Sequence, residues 1–260
     1  MKNKIYITPF IIMGLVLIIA NSCKKKEVNY SDFKDVTKGN FSHFPTTPSV
    51  GNILFNPNLT YGTMTDIDGN VYKTITIGTQ TWMAENLRTT RYRDGSPISY
   101  ITDDASWSYR ETEAYCDYNN DPKNSAVYGK LYNWWAVSDS RNIAPVGWHV
   151  PNDSIEWEVL APYSSGINTS GGELKETGTS HWITPNTGAT NETGFTALPG
   201  GYRCGLDGSF NLAGNWGYYW STEKNSTYDY FYRSLGYNYD GIHRVGGYFA
   251  NGFSVRLVKD

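Results

Sequence analysis

Cysteine and histidine are scarce in this chain of 260 residues, which has three Cys and four His. None of the histidines (His43, His149, His181 and His243) has a second histidine or a cysteine at a metal-ligand spacing. No nucleophile-elbow motif is present either, although a Ser-His-Asp triad assembled only in three dimensions stays open. We therefore expect no catalytic residue, no metal site, no cofactor and no enzyme activity.

A strong charge of one sign is also absent, since the formal net charge is −3. This balance gives no reason to expect a nucleic-acid partner. After the N-terminal apolar run, no second run is long enough to span a membrane.

The N-terminus carries the clearest targeting signal. Lys2 and Lys4 precede an apolar run from Ile5 to Ala20, and Asn21-Ser22-Cys23 follows. This pattern is typical of a lipoprotein signal peptide over residues 1–22, with Cys23 as the lipidated first residue. A plain secretory signal or an uncleaved anchor is the alternative. We expect a protein of the cell envelope, held to the outer membrane by the lipid and exposed outside the cytoplasm.

Residues 23–60 are predicted to form the lipid anchor and a flexible tether, because they contain KKKE and scattered polar residues without apolar periodicity. Residues 61–260 are then long enough for one domain with a real core.

Because Cys23 is expected to be lipidated, Cys116 and Cys204 are left as a pair in an oxidising compartment. A disulfide between them and two separate buried thiols are both open.

The domain is rich in aromatic residues and glycine, with short segments separated by turn pairs. Asp68-Gly69 and the alternation around Ile75 and Ile77 predict a hairpin that continues through Trp82. Two helices are predicted, one in YGKLYNWWAV and one after GWHVP, where Asp153 and Glu156 form a capping box and Ile155, Val159 and Leu160 an apolar face. Phe253, Val255 and Leu257 alternate with Ser254 and Arg256, as in a terminal strand.

Several blocks resemble a known family in order along the chain. They include DIDGNVYKTITIGTQTWMAENLRTTRYRDGSPI, APVGWHVPNDSIEWEVL, TNETGFTALPGGYR, GYYWSTE and GFSVRLVKD. They are similar to the Fibrobacter succinogenes major paralogous domain, found on exported proteins and lipoproteins of Bacteroidetes and Fibrobacteres, and the resemblance covers residues 61–260. It implies an α+β, C-type-lectin-like fold: a twisted antiparallel sheet whose first and last strands pair, two helices and long ordered loops.

This sequence departs from the family pattern at two places. Members often carry a cysteine before the Pro of the GWH motif and another in the final strand, where this chain has Ala144 and Leu257. If those two cysteines form a disulfide in the family, this chain lacks that disulfide. A disulfide between Cys116 and Cys204 cannot be assumed to replace it.

The resemblance implies a shape more than an activity. A non-catalytic domain that binds a glycan or a protein is our leading hypothesis, and a structural or adhesive envelope component is the alternative. A formylglycine-generating-like oxidoreductase is the third hypothesis, but its pair of metal-holding cysteines has no motif match here. Calcium is a minor hypothesis, because the Asn186–Asn191 loop offers oxygen ligands but also suits a plain turn.

The stretch GNWGYYWSTEKNSTYDYFY is crowded with aromatic side chains. Trp216, Tyr218 and Trp220 share one strand face, opposite Gly217, Tyr219 and Ser221, and we predict that the first set is core. The tyrosines that follow suit a solvent-facing recognition surface because their polar tips tolerate water. The candidate ligand-binding residues are therefore Tyr228, Tyr230, Tyr232, Tyr237 and Tyr239, with sheet-surface tyrosines that bind nothing as the alternative.

Overall fold

The structure is a computed structural model that describes residues 51–161, 170–226 and 229–260. The predicted signal peptide, Cys23, residues 23–50 of the predicted tether, and Tyr228 lie outside the described residues. None of the helices in the described part is long and apolar enough to cross a bilayer.

The described chain is mostly β, with two curled five-stranded sheets and a few short helices. The first sheet has the order β1-β2-β3-β12-β6, and its strands are Gly62–Thr65 (β1), Val71–Ile77 (β2), Gln80–Met83 (β3), Trp148–His149 (β6) and Val258–Lys259 (β12). The hairpin predicted around Asp68-Gly69 and Trp82 is confirmed by β1, β2 and β3. The last strand pairs with β3, where Val258 lies opposite Trp82, and not with β1.

The second sheet has the order β11-β10-β9-β7-β8. Its strands are Gly200–Arg203 (β7), Phe210–Ala213 (β8), Trp216–Lys224 (β9), Asp229–Gly236 (β10) and His243–Tyr248 (β11). All pairs are antiparallel except β7 with β9, so this sheet is mixed. A separate two-stranded ladder joins Tyr115–Cys116 (β4) to Leu131–Tyr132 (β5).

The helices of the described residues are all short: Asp104–Trp107 (α1), Pro122–Tyr128 (α2), Trp134–Val137 (α3), Glu158–Leu160 (α4) and Gly171–Leu174 (α5). The single helix predicted over YGKLYNWWAV is wrong. Gly129 ends α2 with φ +71, a conformation that favours glycine, and a Cβ there would lie 2.5 Å from the Cβ of Asn86. The chain then forms β5 before Asn133 caps α3.

The helix predicted after GWHVP exists, as a π-helical turn over Asp153–Trp157 that continues into α4. Its N-cap is Asn152 rather than Asp153, because the Asn152 side chain accepts from the Ser154 and Ile155 amides while Glu156 accepts from the Asn152 amide. The predicted apolar face is confirmed only for Leu160, which is buried in the core; Ile155 is 62% exposed and Val159 is 58% exposed, whereas Trp157 is fully buried.

The main core lies where the two sheets meet. Trp82 and Val258 of the first sheet pack with Tyr219 and Leu235 of the second, and Trp157 closes the cluster. The rings of Trp82 and Trp157 have centroids 5.0 Å apart. Nearby, the buried carboxylate of Asp153 accepts from the guanidinium of Arg233 at 2.6 Å. Such a buried pair is costly to break because either partner alone would be a desolvated charge.

Both faces of residues 253–258 are buried, whereas Lys259 and Asp260 are exposed. Arg256 is 0% exposed and donates to Asn86 Oδ1, to the carbonyls of Met83 and Phe195, and to that of Thr196. Regular pairing covers only β12, and residues 252–254 make isolated bridges instead.

The flexible tether was predicted to reach residue 60, but residues 51–60 contact the domain. The Leu54 amide donates to Glu176 Oε1 at 2.6 Å, and the Asn56 side chain donates to the Asn191 carbonyl. Glu176 also pairs with His181 at 2.7 Å, with both side chains fully buried. Polar side chains of the domain thus bind the backbone of this segment, which lacks apolar periodicity of its own.

Candidate functional site

The candidate site is built on β9, whose successive side chains lie on opposite sides of the second sheet. Tyr219 enters the main core and is fully buried. Trp216, Tyr218 and Trp220 point the other way, where β10 and neighbouring segments add further rings. We call this set the aromatic face: Tyr202, Trp216, Tyr218, Trp220, Tyr232, Tyr239, His243 and Phe253.

One half of the aromatic face is closed by packing. Phe253 lies at its centre, with ring centroids 4.5 Å from Trp220, 4.7 Å from Tyr232 and 5.3 Å from Tyr218. The Trp220 indole donates to the Tyr132 carbonyl at 2.7 Å, and Trp220 is 0% exposed. The core prediction is therefore confirmed for Trp220.

The other half of the face is open, because Trp216, Tyr218, Tyr232, Tyr239 and His243 are all partly exposed. The core prediction is wrong for Trp216 and Tyr218. The alternation of β9 was predicted correctly, but Tyr219, on the side opposite to the predicted core, is the residue that enters the main core.

Trp216 lies flat over Gly236 of β10. A Cβ at position 236 would lie 2.8 Å from Cη2 and 2.9 Å from both Cζ2 and Cζ3 of the indole. Cζ2 and Cζ3 are both bonded to Cη2, so a Cβ beyond the ring edge at Cη2 would be much farther from Cζ2 and Cζ3 than from Cη2. Because the three distances are nearly equal, this Cβ would lie above the face of the ring. Gly236 is directly opposite Trp216 in the β9–β10 register. A side chain at this position would occupy the space that the ring fills.

His243 and Tyr239 extend the open half. Their rings stack with centroids 4.6 Å apart and an interplanar angle of 21°, and the His243 ring lies 5.6 Å from Trp216. Burial lowers the pKa of His243 below its ordinary value of 6.5. The imidazole is therefore neutral at neutral pH, and the open half carries no charge from this residue.

Polar groups at the open half lack partners in the described part of the chain. No described residue forms a hydrogen bond with the hydroxyls of Tyr218, Tyr232 or Tyr239, or with the His243 ring nitrogens, whereas Tyr219 OH donates to the Leu198 carbonyl and accepts from its amide. The side chains are partly exposed, so these groups are available to water or to a ligand. Burial nevertheless raises the pKa of Tyr218 and Tyr232 above the ordinary value of 10, so both hydroxyls stay protonated.

The five predicted ligand-binding tyrosines do not form one surface. Tyr230 stacks on Trp134 with centroids 3.4 Å apart and an angle of 16°, and the Lys224 amine lies 5.9 Å from its ring centre. Tyr237 packs against the main core. Tyr232 and Tyr239 belong to the aromatic face, and Tyr228 lies outside the described residues. Only two of the five are therefore placed at the open rings.

Trp216, Tyr218 and His243 are the site residues that sequence reasoning missed. The glycine at position 236 was an available signal, since glycine inside a strand marks close approach of another group. Its partner across the sheet follows only from the register, which includes an irregularity between Tyr230 and Tyr232.

The model of the Fibrobacter succinogenes major domain family matches residues 75–259. The chain belongs to this family. No curated protein and no solved structure matches the chain. The family match confirms the resemblance found in the sequence and assigns no ligand.

In this member of the Fibrobacter succinogenes major domain family, Cys116 and Cys204 do not form the disulfide that the sequence left open. Cys116 is a free thiol, fully buried beside Trp107 and Leu131. Burial in this apolar cluster raises the pKa of Cys116 to about 12, so the group stays protonated. The Cys204 sulfur accepts from the Leu206 amide at 3.4 Å.

The loop considered for calcium uses its amides structurally. Asn186 donates to the carbonyls of Glu176 and Gly178, and Asn191 Oδ1 accepts from the Thr196 amide. Within the described ranges, no group of three or more His, Cys, Asp or Glu side chains could hold a metal ion.

Proposed function

We propose that this protein is a cell-envelope lipoprotein whose domain binds a ligand, without catalysis, through the aromatic face. The observation that supports it is the open half of that face, where rings reach solvent beside hydroxyls and an imidazole without described protein partners. Aromatic rings with polar tips recur at recognition surfaces because they combine contact area with hydrogen bonding.

The envelope part of the proposal rests on the N-terminal sequence. The lipid on Cys23 would insert into the outer membrane, and residues 24–50 would separate the anchor from the domain. Mass spectrometry of the exported protein should find diacylglycerol on Cys23, and Cys23→Ser should release the protein from the membrane fraction. A Cys23→Ser protein that stays in this fraction would contradict lipid anchoring.

A glycan is favoured over a protein as the ligand. Protein interfaces of standard size bury about 800 Å² per partner, whereas the open half consists of a few adjacent rings. We further propose that the fold is a divergent C-type-lectin-like one, which agrees with the mixed sheet and the short helices. A structural or adhesive role without a small ligand is the alternative.

The oxidoreductase hypothesis is the weaker one. A copper-holding pair needs thiolates, but burial raises the pKa of the Cys116 thiol to about 12, so thiolate forms poorly there. No described residue hydrogen-bonds to His243, so the open half lacks the oriented base that a nucleophile would need.

A glycan array tests the proposal. Residues 31–260, which include every described residue and the compact unit Thr46–Asp260, would be screened with calcium and with a chelator. We expect binding in both conditions, because the described face offers rings and no carboxylate cage. Binding that is lost with the chelator would instead support a calcium-dependent site. A blank array would contradict a glycan ligand and favour the structural or adhesive role.

A further inference from the structure

Trp216 lies in the open half of the aromatic face, with one side of its indole on Gly236. The rings of Tyr218 and His243 lie 6.3 and 5.6 Å from it. The residue is nevertheless partly exposed. Since Gly236 covers one side of the indole, the exposed fraction belongs to the rest of its surface, which includes the side that points away from Gly236, its outer face.

Two neighbours of the Trp216 ring carry hydrogen-bonding groups. They are Tyr218, with its hydroxyl, and the His243 imidazole, which stacks on Tyr239. A flat apolar surface edged by groups that both donate and accept matches a ring-shaped polyol, which has one face of C–H groups and hydroxyls around its rim.

The cations of this sheet are engaged elsewhere. Arg244 lies over Phe231 at 3.6 Å and pairs with Asp153, as Arg233 does. In the described part of the chain, no lysine or arginine lies over Trp216, Tyr218 or His243. An anionic ligand would thus lose hydration here without gaining an ion pair.

We propose that the outer face of Trp216 binds one uncharged pyranose unit by stacking, with Tyr218 and His243 hydrogen-bonding to its hydroxyls. This inference rests on the proposed function and names the ligand class of the same site. Gly236 is a positioning residue, because its missing side chain is what lets the indole lie flat and face outward.

The test measures binding by isothermal titration calorimetry on residues 31–260. The probes are neutral glucose-, mannose- and galactose-based hexaoses, with hexagalacturonate as the anionic counterpart. The variants are Trp216→Ala, Trp216→Phe and Gly236→Ala. Tyr109→Ala is the matched control, since Tyr109 is a 61% exposed aromatic residue outside the face. Near-ultraviolet circular dichroism checks that each variant is folded.

We expect at least one neutral hexaose to bind and hexagalacturonate to bind at least about tenfold more weakly. Trp216→Ala should weaken binding about tenfold or more, which is the loss of roughly one good aromatic contact. Trp216→Phe should keep part of the affinity, and Tyr109→Ala all of it. Gly236→Ala should also weaken binding although Trp216 itself is unchanged, because the added methyl group displaces the indole from its flat position. If Trp216 were only near the ligand and did not stack on it, Gly236→Ala would leave the affinity unchanged.

Two results would overturn the inference and leave the proposed function standing. One is a neutral hexaose whose affinity Trp216→Ala changes by less than about twofold. The other is binding of charged glycans only, on the array and in calorimetry. If neither the hexaoses nor the array gives any binding, the inference and the glycan ligand both fail.

Discussion

Tyr218 and Tyr219 are consecutive residues of β9, yet their environments are opposite. Tyr219 is fully buried among Trp157, Phe195 and other core residues, and its hydroxyl is held by the Leu198 backbone. Tyr218 lies in the aromatic face, partly exposed, and its hydroxyl has no partner among the described residues. Around Tyr218 and Tyr219, the two sides of one strand therefore separate a closed core from a partly open surface, although Trp220, on the Tyr218 side, is fully buried.

This comparison teaches that aromatic density does not reveal function by itself. Both sides of β9 have rings at contact distance, so ring contacts do not distinguish them. The two tyrosines differ in whether the protein holds the hydroxyl, since Tyr219 OH bonds to the Leu198 backbone and Tyr218 OH has no partner among the described residues. A buried hydroxyl needs a partner because an unmade hydrogen bond is costly there, whereas a hydroxyl at the surface can bond to water.

The strongest way to break the comparison is to remove a large ring from each side. Trp157→Ala should lower the free energy of unfolding by about 3–5 kcal/mol, because it leaves a cavity beside Trp82, Phe195 and Tyr219. Trp216→Ala should lower it by about 1 kcal/mol, because the ring is already partly in water. Urea unfolding measures both. Equal losses would contradict the division into core and surface.

The ionic part of the core side gives the next largest expected effect. Asp153→Ala should destabilise the fold by about 3 kcal/mol, because it removes the fully buried carboxylate that Arg233 and Arg244 share and leaves the buried Arg233 paired with the partly exposed Glu158. Asp139→Ala is a matched control, since its pair with Arg141 is more exposed and should contribute less than about 1 kcal/mol. Thermal and urea unfolding would show the difference, and similar losses would mean that the Asp153 pair is not enclosed as the structure has it.

Removing a single hydroxyl oxygen from each side of β9 makes the comparison of the two sides more selective. Tyr219→Phe should lower the free energy of unfolding by about 1–3 kcal/mol, because Leu198 loses both a hydrogen-bond donor and an acceptor in a dry site. Tyr218→Phe should stay within about 0.5 kcal/mol of the unmodified protein. A larger effect at Tyr218 than at Tyr219 would reverse the assignment of the two sides.

The smallest expected effect concerns pH. Burial lowers the pKa of His243, so the unfolded chain binds a proton more readily as pH falls through 6.5. The free energy of unfolding should therefore decrease as the pH falls below 6.5. Above that pH, protonation of His243 should have no effect on it. His243→Gln should reduce the loss between pH 7 and pH 5 by less than about 1 kcal/mol, because the ring is partly exposed. An unchanged loss would show that His243 does not titrate with a lowered pKa.

The sequence predicted local features well and long-range ones poorly. The hairpin through Trp82 followed from its own alternation and turn residues, and the family followed from blocks of residues that match in order. The helix over Tyr128–Val137 failed because Gly129 approaches Asn86, more than 40 residues earlier. Arg256 was assigned to a polar face, but its partners come from Asn86, Met83 and the Phe195–Thr196 backbone.

The prediction of the candidate site failed for the same reason, because it depends on long-range contacts. Alternation correctly separated Trp216, Tyr218 and Trp220 from Tyr219, but a period of two does not say which side faces the other sheet. Tyr230 was predicted to be available, yet Trp134, from a distant helix, covers one face of its ring. The flat position of Trp216 depends on Gly236 across the ladder, and so on the register of two strands.

The most direct test of the central claim is an NMR titration of the indole N–H signals with the neutral hexaose that binds best. Trp216→Phe, Trp157→Phe and Trp82→Phe assign the three signals to be compared. We predict that the Trp216 signal shifts with ligand concentration while the signals of Trp82 and Trp157 stay in place. Shifts at Trp82 or Trp157 with a stationary Trp216 signal would contradict the assignment of the aromatic face as the binding surface.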